Sequence, residues 1–557
     1  MAGRTRNDWA ENMTTGSAVT HNLALEPVPE PEDEFGLASG FVAVPRSWPN
    51  THNRPDVVVR KGVAHLVNPD LTPRQALVED LLFIGRVLSD AGIDFLLVRG
   101  NDERPVLAVD ETLRGAVEEA LAIACEDEPL YSKTLDGKAR PPVLVNTGSL
   151  STRRKSRIFR LYRPRLEPVG GLRYGASSGV ELQLWRFDDQ FIDCPVENSL
   201  TRRLLPRSEA IRTTVLLHGA SWNTLSGMFD PHASDVRFDI DMVFSWVDGT
   251  DIEFQRERAK RMQSYVVGEG DDAEARYRQI DELKYALRSV YLFAPWVRRI
   301  FIATDSPKPA WLADHPMVTI VRSEEFFSDC SGLPTHNSQA VESQLQHIPG
   351  LSEHFLYSND DMFFGRPVQP STFFSAGGVT KFIEAQTRIG LGDSEPGRSG
   401  FENSARVNRR LLWERFGGVI TRHLEHAATP LRKSILFELE REFPDDFART
   451  QKSQFRSGTD ISVTNSLFHY YALLTGRAVQ QENARVRYVD TTARSGLAML
   501  PAMLKNRSDD FFCLNDGSFP EVSADERAAI VVEFLKRYFP IAAPWERQPD
   551  DGLTVFE

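Results

Sequence analysis

Residues 241–249 read Asp-Met-Val-Phe-Ser-Trp-Val-Asp-Gly, a short apolar run that ends in an acidic turn. The run predicts a buried β-strand, because it is rich in β-branched and aromatic residues and is closed by Asp248 and Gly249. Two further apolar runs predict strands that stop in the same way: 299–304 at Asp305, and 354–357 at Asn359-Asp360-Asp361. A fourth strand is predicted at 318–321. Three of these four strands therefore end in carboxylates.

Helices are predicted between these strands. Apolar residues recur at helical spacing in 280–294 and again in 338–348. Short alternation of strands and helices predicts an α/β fold with a largely parallel sheet. In open sheets of this kind, ligands bind beyond the carboxyl ends of the strands. The sequence therefore predicts a site where the three acidic strand ends meet.

Working outward from this region, the 557-residue chain is predicted to contain three parts. Residues 1–55 are predicted to be a poorly ordered segment, because 25–34 are rich in proline and acid. Residues 56–235 mix short strands with helices at 73–88 and 111–125, which indicates an accessory α+β domain without a recognisable catalytic motif. Residues 236–557 form the predicted catalytic domain.

Charge and cysteine content exclude several classes of protein. The net charge is −13 and no long basic block is present, which argues against nucleic acid as a partner. The four cysteines are far apart and form no C-x-x-C pair, which disfavours a disulfide framework and fits a cytoplasmic location. No apolar run is long enough to span a membrane, and the N-terminus lacks a secretory apolar region. Any membrane contact is expected to be peripheral.

Carboxylates supply the first candidate chemistry. Asp360 and Asp361 are hard oxygen ligands of the kind that suits Mg²⁺ or Mn²⁺, either of which neutralises a diphosphate. A simple acidic turn at the end of the strand is an equally good interpretation. Asp516 follows a second apolar run, 511–514, and either joins this site or forms a turn.

Three other residues could act on a phosphorylated substrate. Glu342 lies at the edge of the apolar stripe in 338–348. His426 precedes Thr429-Pro430-Leu431, a predicted helix start at which an anion would be favoured. Arg456 lies in a predicted loop and offers the planar fork that suits phosphate oxygens. Taken alone, each is more typical of a solvated surface, and His423-x-x-His426 lacks the further ligands of a zinc site.

The order of these signals resembles the four conserved blocks of the Stealth family. The first block is similar to 239–251, the second to 281–289, 294–296, 333–338, 340–342 and 357–361, the third to 426–456, and the fourth to 511–517. Together they span roughly residues 236 to 540. Two positions depart from the family pattern: Asp248 stands where Asn is usual, and Lys284 stands where Arg is usual.

The resemblance implies a GT-A-like Rossmann core, a UDP-sugar donor, often UDP-N-acetylglucosamine, and Mg²⁺ or Mn²⁺ as a cofactor. Matching of motifs places the essential residues of the family at Glu342, Asp361, His426 and Arg456. The remaining site residues expected from the matched motifs are Asp248, Gly249, Lys284, Arg288 and Asn337 for substrate and Asp360, Asp361 and Asp516 for metal.

The resemblance also implies a reaction. A glycan hydroxyl would attack the phosphorus attached to the sugar, release UMP and leave hexose-1-phosphate in a phosphodiester of an exopolysaccharide or capsule. His426 or Glu342 would accept the proton. Assembly of such a polymer implies a location at the inner face of the cytoplasmic membrane. Two alternatives stay open: a glycosyltransferase that moves the sugar alone and releases UDP, and a non-catalytic glycan-binding protein.

Overall fold

The computed structural model describes residues 54–102, 104–251, 255–256, 258–259, 280–395, 397–517 and 520–547. Apart from its last two residues, the segment predicted to be poorly ordered, 1–55, lies outside the described residues. Strands up to residue 225 pair with one another, and strands from residue 240 onward pair with one another.

The first half of the described chain is a mixed α+β structure. Helix α1 (Pro73–Asp90) begins where the sequence predicts, because Thr72 and Gln75 form a reciprocal capping box and proline occupies the first turn. Helix α2 (Arg114–Ala124) follows. The strands are β1 (Val57–Arg60), β2 (Val63–Val67), β3 (Phe95–Arg99), β4 (Pro105–Asp110), β5 (Tyr131–Thr134), β6 (Val143–Leu144), β7 (Ile158–Tyr162), β8 (Arg165–Leu166), β9 (Arg173–Tyr174), β10 (Val180–Phe187), β11 (Phe191–Asp193), β12 (Leu204–Pro206), β13 (Arg212–Leu217) and β14 (Ala220–Leu225).

These strands form two sheets and a hairpin. The larger sheet has eight strands, with β10 at its centre between β4 and β7. The smaller sheet has the order β1-β2-β8-β9, and β13 and β14 form the hairpin. Helices α1 and α2 bury their apolar faces against the larger sheet in one hydrophobic cluster.

A five-stranded sheet dominates the second half, in the order β17-β16-β15-β18-β23. Its four strands other than β23 run parallel, which confirms the predicted parallel sheet. The strands of this half are β15 (Ile240–Ser245), β16 (Ile300–Ala303), β17 (Val318–Val321), β18 (His354–Asn359), β19 (Met362–Phe364), β20 (Thr380–Phe382), β21 (Glu384–Arg388), β22 (Arg422–Leu424), β23 (Thr429–Arg432), β24 (Ala478–Gln480), β25 (Val486–Asp490) and β26 (Phe511–Asn515).

The described helices of this half cover both faces of the sheet. They are α3 (Glu282–Phe293), α4 (Ser323–Phe326), α5 (Ser338–Glu342), α6 (Gly400–Phe416), α7 (Lys433–Glu442), α8 (Pro444–Lys452), α9 (Phe468–Leu474), α10 (Arg494–Leu497), α11 (Leu500–Asn506) and α12 (Ala524–Tyr538). A π-helical turn, Val463–Leu467, leads into α9. None of the helices in these described ranges is long and apolar enough to cross a membrane.

Successive side chains of the central strands enter two different cores. On β15, Met242 and Phe244 join one hydrophobic cluster, whereas Val243 joins the other. Leu356 and Phe355 of β18 divide in the same way. A strand that is covered on both faces needs apolar residues at every position, which is why the sequence shows unbroken apolar runs here.

Two predicted helices are different in the structure. The predicted helix 338–348 is the short helix α5, followed by a 3₁₀ turn at Leu345–His347. The predicted helix start at Thr429 is strand β23, which pairs antiparallel with β18. Pro430 is tolerated there because β23 is the last strand of the sheet, so that its missing N–H need not serve a further neighbour. The helix begins only at Lys433.

Candidate active site

Glu342 lies in a buried polar network at the carboxyl end of the parallel sheet. Its side chain accepts hydrogen bonds from Thr464, at 2.7 Å, and from the Tyr357 hydroxyl of β18, at 3.3 Å. The Tyr357 hydroxyl also lies 2.7 Å from Ser245 Oγ, at the end of β15. Burial raises the pKa of Glu342, while the hydrogen bond from Thr464 opposes that rise. Both carboxylate oxygens are therefore fixed by contacts with the protein.

Arg456 faces the same network from the loop after α8. Its Nη2 donates to Ser338 Oγ at 2.9 Å, and its positive charge opposes the rise that burial causes in the pKa of Glu342. The side chain crosses Gly400, the first residue of α6, where an added Cβ would lie 2.8 Å from Arg456 Cδ. Only glycine leaves room for this crossing. A guanidinium held beside a carboxylate at the end of a parallel sheet is well placed to bind phosphate oxygens.

Asn337 fixes the loop that carries Arg456. Its Nδ2 donates to Asp460 Oδ2 at 2.8 Å and lies within 3.4 Å of the Ser453 and Phe455 carbonyl oxygens. Its Oδ1 accepts from the Gln339 N–H at the start of α5. The side chain is 1% exposed. The Asn337 amide is therefore held by contacts within the protein, and its contact with substrate stays a prediction.

Replacing Asn337 with Ala is expected to displace Arg456, because it removes the amide contacts that hold the loop carrying Arg456. Asp460 would lose an amide donor in a buried setting, at a cost of roughly 1–3 kcal/mol in the free energy of unfolding. The donor KM should rise together with a fall in kcat, and both should be measured beside urea unfolding. The exposed Asn483→Ala is the matched control and should change neither. Loss of stability with unchanged kinetics would remove the positioning role.

Asp360 and Asp361 form the turn between β18 and β19, opposite the end of β26. The Asp361 carbonyl accepts from Leu514 N at 2.9 Å, and its Oδ2 lies 3.4 Å from Cys513 Sγ. Its Oδ1 is buried and has no hydrogen-bond partner among the residues that the structure describes. Burial raises the pKa of Asp361 to about 6, and the negative charges of Glu282 and Asp516 add to the rise. An orphaned acceptor among other carboxylates is the arrangement that a cation would relieve.

The donor set at this turn suits a divalent cation that is shared with substrate. Mg²⁺ is commonly bound through one or two carboxylates together with substrate phosphates. Within the part of the chain that the structure describes, no group of three or more His, Cys, Asp or Glu side chains is arranged to hold a metal ion. Asp516 accepts from the Thr491 hydroxyl at 2.5 Å and lies 3.6 Å from Arg527. Asp360 and Asp361 are thus better placed than Asp516 to hold such an ion.

His426 lies between β22 and β23 with its ring enclosed by aromatic side chains. Its ring centre is 5.1 Å from that of Tyr488 on β25 and 6.4 Å from that of Phe401 on α6. Burial lowers the pKa of His426, so the imidazole is neutral near pH 7 and able to accept a proton. The helix N-terminus that we predicted beside it is absent, because the segment that follows is strand β23.

No pattern in the sequence pointed to Tyr488, whose ring packs against His426 in the candidate site. Asn515 Nδ2 donates to its hydroxyl at 2.7 Å. Burial is the largest cause that raises the pKa of Tyr488, and the charge of Asp361 contributes. Tyr488 therefore lies between His426 and the turn formed by Asp360 and Asp361. Its strand, β25, reaches this position because it pairs with β26.

Asp248 and Gly249 lie where the sequence predicts, just beyond β15. Asp248 Oδ1 accepts from Thr250 N at 3.0 Å, and Ser306 Oγ accepts from Asp248 N at 2.8 Å. Lys284 and Arg288 are instead bound to Glu546, at 3.5 and 2.6 Å. The structure therefore gives these two cations a role in fixing the chain near Glu546, and the predicted substrate contact of Arg288 and Lys284 is not supported.

A chain of contacts connects the four residues that we predicted to be catalytic. Arg456 contacts Ser338 on the helix that carries Glu342, and it packs over Gly400 beside Phe401. From there the contacts run through the rings of Phe401, His426 and Tyr488 to Asn515, which is adjacent to the acidic turn. Glu342 and Arg456, which are more than 100 positions apart in sequence, thus lie close together near the carboxyl end of the parallel sheet.

Family models of conserved regions match the same part of the chain. Stealth protein conserved region 1 matches residues 238–266, region 2 matches 276–382, region 3 matches 425–473 and region 4 matches 501–553. Glu342 and Asp361 lie in the second region, and His426 and Arg456 lie in the third. Tyr488 lies between the third and fourth regions.

Similar proteins carry matching descriptions. The chain is 65% identical to exopolysaccharide phosphotransferase CpsY of Mycobacterium leprae, over 89% of this chain and 92% of that protein. It is 56% identical to an exopolysaccharide phosphotransferase of Nocardia farcinica, over 87% of this chain and 90% of that protein. A crystal structure of galactosyltransferase LgtC with donor and acceptor sugar analogues has 12% identity and a TM-score of 0.28, covering 55% of this chain and 97% of LgtC.

Proposed function

The chain belongs to the Stealth family, and we propose from this membership and from the geometry of its site that it transfers a sugar phosphate in exopolysaccharide synthesis. We propose further that the donor is a UDP-sugar. Resemblance to the family favours UDP-N-acetylglucosamine. The acceptor is a glycan hydroxyl, and UMP leaves. The observation that carries the proposal is the convergence of Glu342, Asp361, His426 and Arg456 at one edge of the parallel sheet.

The structure favours His426 over Glu342 as the base. The imidazole is kept neutral by burial, which lowers its pKa. Glu342 is 2% exposed, and Thr464 and Tyr357 donate to its two oxygens. A carboxylate so enclosed cannot readily reach a glycan hydroxyl. Its role in the proposal is to orient Arg456 and to balance its charge.

The proposed reaction is an attack at the phosphorus that bears the sugar. The acceptor oxygen forms a new P–O bond, the bond from that phosphorus to the oxygen of UMP breaks, and His426 takes the hydroxyl proton. Arg456 binds non-bridging phosphoryl oxygens, whose charge changes as the bonds exchange. Mg²⁺ or Mn²⁺, when bound, would neutralise the diphosphate, and Asp360 and Asp361 would hold it. Positioning and charge neutralisation supply most of the rate increase in phosphoryl transfer.

We expect the nucleotide product to be UMP. Purified protein is incubated with UDP-N-acetylglucosamine, Mg²⁺ or Mn²⁺ and glycan acceptors, and the nucleotides are separated by chromatography. Acceptor-dependent UMP supports sugar-phosphate transfer. Acceptor-dependent UDP would instead identify a glycosyltransferase that moves the sugar alone and would overturn the phosphodiester product.

Arg456→Lys provides the matched variant for this assay. Lysine keeps the positive charge but loses the planar fork, so acceptor-dependent UMP should fall by roughly 10²-fold if the guanidinium contacts the phosphoryl group. The exposed Arg494→Lys should leave the rate unchanged. If Arg456→Lys keeps the full rate, the guanidinium of Arg456 does not make the proposed contact with the phosphoryl group.

A further inference from the structure

A polar groove lies beside the candidate active site, and none of its residues has a role in the proposed reaction. Its volume is about 710 Å³, within the usual range of roughly 300–1,000 Å³ for small-ligand sites. Strands β21 and β22, the end of β24 and the start of β25 form its walls. The lining includes Glu384, Arg422, Glu425, Gln480, Arg485 and Arg487.

One end of this groove adjoins the proposed base. Glu425 lines the groove and immediately precedes His426, and its N–H donates to the Ile383 carbonyl at 3.0 Å. A ligand that contacts Glu425 would therefore lie beside the segment that carries His426.

Several polar groups in the groove are free to bind a ligand. Burial raises the pKa of Glu425, and in the described part of the chain no side chain donates to its carboxylate. Gln480 and Arg485 are exposed. Their amide and guanidinium groups supply donors, and the amide and carboxylate oxygens supply acceptors. Sugar hydroxyls both donate and accept, so this mixture suits a saccharide.

The other charged groups of the groove are largely neutralised by one another. Arg422 lies 3.6 Å from Glu384, and Arg487 lies 3.2 Å from Asp509. In total, the lining carries four carboxylates and three guanidinium groups. A polyanionic glycan would gain nothing from such a surface, whereas a neutral one needs no net positive charge.

We propose that this groove binds the neutral oligosaccharide end of the acceptor, with the attacking hydroxyl directed to His426. The inference rests on the proposed function, because it assigns the acceptor of that same reaction. The ligand would be an uncharged, hydroxyl-rich chain that accepts hydrogen bonds from Gln480 and Arg485 and donates hydrogen bonds to the Glu425 carboxylate.

Direct binding tests the groove without any chemistry. Maltohexaose, cellohexaose and chitohexaose are the neutral probes, and hexasaccharides of polygalacturonate are the anionic probe, each followed by saturation-transfer NMR without donor. The wild-type protein should bind at least one neutral probe more tightly than the anionic one. The double variant Q480A/R485A should weaken that binding by roughly 10-fold, because hydrogen bonds from both side chains to the saccharide are lost. Gln480→Trp should block it by filling the groove.

Matched controls lie outside the groove. Gln369 and Arg494 are exposed, so Q369A/R494A and Gln369→Trp change the same residue types elsewhere on the surface. Neither control should alter binding, and all variants should keep the wild-type melting temperature. Preference for the anionic probe, absence of binding by all three neutral probes, or unchanged binding by the groove variants would overturn the inference.

A kinetic arm separates failure of the groove from failure of the proposed function. In the nucleotide assay, Q480A/R485A should raise the acceptor KM by roughly 10-fold, whereas the control Q369A/R494A should leave the acceptor KM unchanged. If the wild-type protein releases UDP, the sugar-phosphate proposal fails while the binding result still decides the groove. If UMP is released normally and the acceptor KM does not move, the groove alone is wrong.

Discussion

Asp361→Asn is expected to abolish sugar-phosphate transfer and, in the metal-free protein, to increase stability above pH 6. Asparagine preserves the shape of the side chain but removes its negative charge, so a cation on the diphosphate would lose a ligand. Loss of one fixed electrostatic contact to a reacting group commonly costs roughly 10²–10³-fold in rate. We expect at least that reduction here.

The stability gain follows from the pKa of Asp361. Burial, with the neighbouring charges of Glu282 and Asp516, raises this pKa to about 6 in the folded chain, from 3.8 for an ordinary aspartate. Between these two values the folded chain holds a proton that the unfolded chain has released. The free energy of unfolding therefore falls as the pH rises through this interval, and the penalty is complete above about pH 6. Asparagine carries no such penalty, so the variant should gain roughly 1–3 kcal/mol at neutral pH and little at acid pH.

Urea unfolding in the presence of a chelator measures this difference in stability. It is done at neutral pH and at a pH near 3.8, the ordinary pKa of aspartate. Asp393→Asn is the control, because Asp393 is exposed and its replacement should change neither stability nor rate. An Asp361→Asn variant that is less stable than the wild type at neutral pH would contradict the conclusion that the charged Asp361 carboxylate destabilises the folded chain. A variant that retains full transfer would remove Asp361 from the catalytic machinery.

Local patterns in the sequence were sufficient to predict the central sheet. Residues 242–244 and 355–356 are apolar at every position because both faces of β15 and β18 are covered. Parallel strands bring their carboxyl ends to one edge, so the position of Asp361 at that edge followed from strand order alone. The helix predicted from residue 73 depends on equally local signals, and α1 begins there, capped by Thr72.

Pairing over long sequence distances is what the sequence could not predict. Thr429-Pro430 has the local signature of a helix start, but the open edge of β18 pairs with it as a strand, and tertiary pairing outweighs local preference. Lys284 and Arg288 have the right chemistry for a phosphate, yet Glu546, over 250 residues later, binds both. Tyr488 became a site residue only because β25 pairs with β26 beside Asp361.

His426→Gln is expected to reduce kcat by roughly 10²–10⁴-fold, the usual contribution of a positioned general base. Burial lowers the pKa of His426, so its neutral form predominates at pH 7 and is lost only at a more acidic pH. The wild-type rate should therefore fall at acidic pH as His426 gains a proton. The small residual rate of the variant should not show that fall. The pH profile of kcat, measured with saturating donor and acceptor, tests both expectations.

His423→Gln is the matched control, because it alters a second imidazole only three residues away. His423 is also buried, its ring stacks on Phe401 at 4.4 Å, and burial likewise lowers its pKa. Removing it should reduce stability through lost packing but leave the acid limb of the profile in place. If instead His426→Gln keeps the wild-type profile while Glu342→Gln loses it, the base is Glu342. The polar network around Tyr357 and Thr464 would then have to open during turnover, because at rest it encloses both oxygens of that carboxylate.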